Sequence, residues 1–296
     1  MALREVDAPR PEPSQALVEV RAVSLNRGEC TALRTAEEGW RPGWDLAGVV
    51  RRAAGNGAGP RDGARVVGWV PGGAWAELAA VRVDHLAEVP PGVDLETAST
   101  LPVAGLTALG LLGLGGDLRG ARVAVTGAAG GVGRFAIQLA HAAGAHVTAI
   151  VGRPERAAGL RELGADEIVI GGIEPDGEPF DLILESAGGA SLAAALARVS
   201  ATGLVATFGN SSGEPVTFEP RVFYRKGAPT MRGFFVTWEL LEGRIGTREL
   251  ESLCRMVAEG RLVVQIDRRA SWREAGPVIR MLMDRRITGK AVLTID

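Results

Sequence analysis

The residues with the most chemical content are Gly127-Ala-Ala-Gly-Gly-Val-Gly133, which follow an apolar run at 122–126 and open into Arg134-Phe-Ala-Ile-Gln-Leu-Ala-His-Ala-Ala-Gly144. A strand entering a glycine turn and leaving it as a helix can hold an anion. Gly130 lets backbone N–H groups approach a pyrophosphate, the helix N-terminus favours negative charge, and Gly133 lets the helix pack closely on the strand. The pattern is Ala-x-Gly-x-x-Gly, with Ala128 in place of the usual first glycine. In this context the turn reads as a dinucleotide site, with Ala129, Gly130, Gly131, Val132 and Gly133 at the phosphates, rather than as a merely structural bend. About 20 residues on, where an NAD site carries Asp or Glu for the ribose 2′-hydroxyl, the chain reads Ile150-Val-Gly-Arg-Pro-Glu-Arg156. No carboxylate stands at that strand end. Gly152, Arg153 and Arg156 instead offer space and two guanidiniums, whose planar forks suit the oxygens of a 2′-phosphate. NADPH is therefore expected over NADH, with Glu155 as an alternative partner for either arginine.

The elements needed to hold such a turn are present around it. Apolar runs of strand length at 122–126, 146–151, 181–185 and 203–208 alternate with helical patterns at 133–143, 156–163 and 191–199, which predicts a parallel, doubly wound sheet. The first hundred residues differ: short β-rich segments such as 16–20 and 64–70 are separated by Gly and Pro breakers. The tail adds helical stretches at 248–259 and 272–284 and a last strand at 291–295. The 296 residues include 41 glycines, 46% apolar and 23% charged residues, enough for a real core and incompatible with disorder; the glycines follow no Gly-X-Y period. A net charge of −2 gives no bulk attraction to nucleic acid or an anionic membrane. No apolar run reaches the roughly 18 residues of a membrane span, and the N-terminus lacks a signal peptide's apolar stretch, so a cytoplasmic location is expected. Cys30 and Cys254 lack CxxC spacing, and His85, His141 and His146 stand without ligand partners at motif spacing, so no metal is expected.

Six stretches, in order along nearly the whole chain, resemble the medium-chain dehydrogenase/reductase superfamily in its zinc-free quinone oxidoreductase branch, the zeta-crystallin-like proteins. They are Leu17-Val-Glu-Val-Arg-Ala-Val-Ser-Leu-Asn26 with Glu29, Pro42-Gly-Trp-Asp-Leu-Ala-Gly-Val-Val50, Leu101-Pro-Val-Ala-Gly-Leu-Thr-Ala-Leu109, the glycine turn with Gln138, Phe208-Gly-Asn-Ser-Ser-Gly213 and Gly289-Lys290. The resemblance implies an α/β protein: a mainly β, GroES-like catalytic domain (1–103 and 238–296) and a Rossmann domain that binds NADP (104–237). It also implies NADPH in a cleft between them and a homodimer built through the cofactor domains. By position, Asn26 and Thr107 would lie near the nicotinamide, and Phe208, Gly209 and Asn210 would line the adenine or ribose side. Phe234, Phe235 and Val236 would offer backbone groups to the carboxamide, Arg156 would contact phosphate, and Lys290 would reach the cofactor region. Gly43-Trp44-Asp45 stands where zinc-containing relatives have Gly-His-Glu, and the structural four-Cys lobe is absent. The tyrosines that many quinone reductases place after the Asn-x-x-Asp stretch are missing, the sole tyrosine, Tyr224, lying elsewhere.

Hydride transfer to a quinone or α,β-unsaturated carbonyl can dispense with a metal, because the conjugated oxygen takes the charge and needs only a hydrogen bond and a proton. Asn26 and Thr107 are the candidates for orientation. Glu29 is a candidate proton relay or, equally, a salt-bridge partner of Arg27. Cys30 has no histidine beside it in the sequence and is not expected to be a nucleophile. Trp40 and Trp44 would wall an aromatic substrate or pack in the core. The expected function is thus an NADPH-dependent quinone or enone reductase acting on a small molecule. The alternatives are an enoyl-thioester reductase of the same fold and a non-catalytic NADPH-binding redox sensor.

Overall fold

A computed structural model describes residues 2–174 and 176–296. The chain divides into two compact units, Met1–Leu106 with Val236–Asp296, and Thr107–Phe235. In the first unit β1 (Gln15–Ser24), β2 (Asp45–Arg52), β3 (Arg65–Trp69), β4 (Leu78–Arg82) and β5 (Leu86–Glu88) join two strands from the tail, β12 (Ile266–Ser271) and β13 (Lys290–Thr294). The sheet runs β12-β13-β1-β2-β3-β5, with β4 also pairing β1; the pairing is antiparallel except between β12 and β13. Period-two burial along β1 sends Ala16, Val18 and Val20 into a core shared with Leu46, Val66, Val81, Leu86 and Leu293. Short helices α1 (Arg27–Ala32) and α2 (Leu95–Ser99), and the tail helices α7 (Val236–Leu241), α8 (Thr247–Ala258) and α9 (Ala275–Met283), complete the unit. The run 272–284 thus splits into a 3-10 turn at Trp272–Glu274 and α9.

Helix α3 (Pro102–Gly113) leads into the second unit. There β6 (Arg122–Thr126), α4 (Gly131–Ala142), β7 (His146–Val151), β8 (Glu167–Ile170), β9 (Phe180–Glu185), α5 (Gly189–Arg198), β10 (Val199–Thr207), α6 (Pro220–Tyr224) and β11 (Thr230–Gly233) follow in turn. The six strands are all parallel in the order β11-β10-β9-β6-β7-β8. The order reverses between β6 and β9, so the carboxyl ends of those two strands form the switch point at which doubly wound sheets bind ligands. Continuous apolar runs such as Val123–Val125 are buried because a parallel sheet is covered on both faces. One expected helix is absent: 156–163 is a 3-10 turn at Pro154–Ala157 followed by looser turns. Gly159, at φ +74°, breaks the helical run.

Candidate active site

In the second unit, the loops that leave the carboxyl ends of β6, β9 and β10 are knitted together. The Thr126 hydroxyl accepts from the backbone N–H of Ser186 at 2.8 Å and donates to the Leu184 carbonyl at 3.2 Å. Glu185, wholly buried, accepts from the N–H groups of Ala187 and Gly188 at 2.9 and 3.0 Å and from the Ser191 hydroxyl at 2.8 Å. Its carboxylate thereby occupies the N-terminus of α5, where negative charge is favoured. Phe208 donates its N–H to the Glu185 carbonyl, and Ser211 and Ser212 donate theirs to the carbonyls of Ser186 and Ala187. The end of β6 at Thr126, just before the glycine turn, the 186–188 loop and the 208–212 loop therefore form one hydrogen-bonded rim.

The glycine turn at this rim is a cradle that side chains would fill. A Cβ on Gly133 would stand 2.6 Å from both the Cα and the carbonyl oxygen of Ala128. The turn can therefore fold back under the first turn of α4 only because the residue is glycine. The helix starts at Gly131, so the backbone N–H groups of its first turn have no intrahelical acceptor and face outward for an anion. Beyond β7, Gly152 and Arg153 are exposed and Arg156 is half-buried in the 3-10 turn. Phe208 is half-buried, Gly209 and Asn210 are exposed, and Phe234 is buried with its ring against Gly110 of α3. Phe235 is exposed and Val236 buried. Thr107 lies within α3 with 5% of its surface exposed, and its hydroxyl makes no hydrogen bond to the described residues.

The first unit holds a different arrangement. Ser24, Glu29 and Asp45 are fully buried, Lys290 is 4% and Asn26 8% exposed. The end of β1, the first turn of α1 and the starts of β2 and β13 bring them together. Asn26 donates through Nδ2 to Asp45 Oδ2 at 2.7 Å and to Glu29 Oε1 at 3.3 Å. Its Oδ1 accepts from Lys290 Nζ at 2.7 Å. Lys290 also donates to the Leu25 carbonyl at 3.1 Å and lies 3.6 Å from Asp45 Oδ2. Asp45 further accepts from the Ser24 hydroxyl and from the Val103 N–H in the first turn of α3. Glu29 accepts from the N–H groups of Asn26 and Trp44. Lys290 Nζ is hydrogen-bonded within this cluster, and both amide N–H donors of Asn26 are engaged. Glu29 lies with Asn26 and Asp45, while Arg27 donates to the carbonyls of Leu282 and Met283. The sequence assigns no role to Ser24 or Glu185, and it shows Asp45 only as part of the Pro-Gly-x-Asp stretch. That spacing is the only signal for any of the three.

Burial and then the Asp45 carboxylate push the Glu29 carboxyl up to about 8, against the pull of the Asn26 N–H, Lys290 and the Trp44 N–H. Desolvation also raises Asp45 and lowers Lys290, each opposed by the charge of the other. The Cys30 thiol is pushed up to about 12 by burial and by Glu29, so it is not a thiolate at neutral pH. A pH dependence of stability follows. Unfolded Glu29 ionises near 4.5, so between about 4.5 and 8 the folded chain holds a proton that the unfolded chain lacks. This contribution is present in full below that window and is lost as pH rises through it, with a slope of up to about 1.4 kcal/mol per pH unit. Urea unfolding from pH 5 to 8 should show the fall in the natural protein, and Glu29→Gln should remove it. An unchanged slope in the variant rules out Glu29 as its source.

The family model described as zinc-binding dehydrogenase matches residues 131–242, most of the parallel-sheet unit. A quinone oxidoreductase of Pseudomonas aeruginosa is 31% identical over 238 residues, which cover 75% of this chain and 72% of that one. The chain belongs to the medium-chain dehydrogenase/reductase superfamily, in its quinone oxidoreductase branch. Within the superfamily, an acrylyl-CoA reductase of Ruegeria pomeroyi is 39% identical over 136 residues, 43% of this chain and 41% of that one. The two-domain α/β fold is shared with a solved Escherichia coli quinone oxidoreductase, crystallised as its NADPH complex, at a TM-score of 0.84 and 22% identity over 98% of this chain and 94% of that one. Among the described residues no three His, Cys, Asp or Glu side chains converge as a metal site, and no helix is long and apolar enough to cross a membrane.

Proposed function

We propose that this reductase-family protein transfers hydride from NADPH to a quinone or α,β-unsaturated carbonyl without a metal. The observation that carries the cofactor choice is the end of β7, where Gly152, Arg153 and Arg156 stand in place of a ribose-binding carboxylate. NADPH fits this rim because its pyrophosphate matches the free N–H groups of Gly131 to Gly133 and its 2′-phosphate matches the two guanidiniums. Bound NADPH supplies the hydride, and the remaining tasks fall to the chain. Phe208, Gly209 and Asn210 line the adenosine side, and the backbone of Phe234, Phe235 and Val236 takes the carboxamide. Of the two residues expected to orient the substrate oxygen, Thr107 retains a free hydroxyl donor. Asn26 has spent its amide on Asp45, Glu29 and Lys290. The reading therefore gives the orienting hydrogen bond to Thr107 and makes Asn26 the strut that joins α1, β2 and β13. A homodimer would be built through β11, which is exposed along its whole length at the edge of the parallel sheet.

NADPH oxidation measured with 9,10-phenanthrenequinone, a 2-alkenal and an enoyl thioester tests the reaction. Turnover with the quinone or the alkenal is the expected outcome. The stretch shared with the acrylyl-CoA reductase favours an enoyl thioester as the second reading, and turnover on that substrate alone would establish it. Tight binding of NADPH with no turnover on any of the three would leave a non-catalytic sensor. Arg153→Ala should raise KM for NADPH by about tenfold and leave that for NADH nearly unchanged, because one charge-assisted contact to a phosphate is lost. An equal rise for both cofactors would remove the 2′-phosphate assignment.

A further inference from the structure

Arg134 is an expensive residue where it stands. It follows Gly133 in the first turn of α4, the end of a helix at which the macrodipole disfavours a cation, and only 4% of its surface is exposed. A buried guanidinium persists only where its hydrogen bonds are placed to hold it. Its Nη2 donates to the carbonyl of Ala158 at 2.8 Å. Ala158 closes the 3-10 turn Pro154–Ala157, which begins directly after Arg153 and contains Arg156. Gly159 comes next, and a methyl group there would stand in ordinary contact, 3.5 Å from Arg134 Nη1, so the fork lies against this stretch of chain.

None of the four residues of that 3-10 turn is buried. Arg153 is exposed and Arg156 half-buried, so the backbone of the turn that carries them contributes to where they stand. The turn follows β7, lies beside β8, and is followed by Ala158 and the fully buried Leu160. The Arg134 fork is a polar tie at Ala158. It joins the helix whose N-terminus faces the pyrophosphate to the turn that carries the two arginines. An error of an ångström in such a placement is enough to lose a bidentate contact.

We infer that Arg134 is a positioning residue for recognition of the 2′-phosphate: through the Ala158 carbonyl it sets the turn from which Arg153 and Arg156 act. The inference rests on the NADPH reading above and adds to it a residue that acts through the turn carrying the two arginines.

Binding of NADPH and of NADH to the full chain, followed by nicotinamide fluorescence without any substrate, tests it. The natural protein should bind NADPH about tenfold or more tightly over NADH. Arg134→Gln, which is too short to reach Ala158, should reduce that preference by about fivefold, through NADPH alone. Arg134→Lys keeps the charge but replaces the planar fork with a single ammonium, and it should restore only part of the loss. In an Arg153→Ala, Arg156→Ala background the Arg134→Gln change should leave the preference within about twofold, since no arginine remains to be positioned. Equal losses for NADPH and NADH, or an unchanged preference, overturn the inference and leave the NADPH reading intact. A natural protein with no preference overturns both. If Arg134→Gln does not fold, Arg134→Lys makes the same comparison.

Discussion

Replacing Lys290 with methionine is expected to destabilise the protein by about 3–5 kcal/mol, the usual cost of leaving one half of a buried ion pair uncompensated. The magnitude follows from burial: Lys290 is 4% exposed and Asp45 is not exposed at all, so water cannot replace the lost ammonium. The Leu25 carbonyl and Asn26 Oδ1 would lose their donor in the same step. Methionine fills most of the aliphatic stem's volume, so the loss reports the charge more than a cavity. Urea unfolding of the variant near neutral pH provides the measurement. Adding Asp45→Asn to Lys290→Met should recover part of the loss, because the orphaned charge is then gone and an amide remains to meet Ser24 and Val103. Its NH2 group can satisfy only some of those partners, so recovery should be incomplete. A cost for Lys290→Met below about 1 kcal/mol, the range of an exposed pair, would show that the cluster is hydrated and that the ion pair is not a stabilising element.

The same cluster shows how far one sequence carries. Its members are close in the sheet but far apart in the chain: Asn26 and Lys290 are separated by 264 positions and meet because β1 and β13 pair. The family resemblance points to Asn26 and Glu29, three residues apart, and implies a role for Asn26; the local sequence contains no sign that Lys290 and Asp45 engage the Asn26 amide. The parallel sheet was far more legible. Val123–Val125 of β6, Ala149–Val151 of β7, Leu182–Leu184 of β9 and Leu204–Ala206 of β10 are apolar runs because both faces of the sheet are covered, and a run of that kind reads as a strand without its neighbours. β8 was missed because it is four residues long and sits at the edge, with half-buried side chains and glycines just beyond it. The expected helix at 156–163 failed for a related reason. Its alternation of charged and apolar residues fits a helix, but Gly159 adopts a positive φ and the chain lies against Arg134 instead. Wherever a residue's position was set by a distant partner, periodicity could not report it.

Gly133→Ala is the second substitution expected to have a large effect, and it should act on fold and ligand together. The added methyl would lie 2.6 Å from the Ala128 Cα and oxygen and 2.7 Å from its carbonyl carbon. These are backbone atoms of the turn itself, so no side-chain rotation relieves the contact. Either α4 lifts from the turn or the 127–130 segment opens, and each movement displaces the N–H groups that would meet a pyrophosphate. Overpacking of this kind costs about 3 kcal/mol, and the loss of aligned donors should weaken NADPH binding by more than about tenfold. Gly172→Ala is the matched control, since nothing lies within 4 Å of a Cβ there; its effect should stay within about 0.5 kcal/mol. Thermal unfolding with and without NADPH separates the two consequences. A Gly133→Ala protein that is destabilised yet still gains the natural protein's full shift in Tm from NADPH would mean that the turn packs the helix but does not hold the cofactor. A variant as stable as the natural protein would mean that the close approach of Ala128 is not needed for the fold. The expected result, loss of both, follows because the same backbone atoms form the packing contact and the rim of the site.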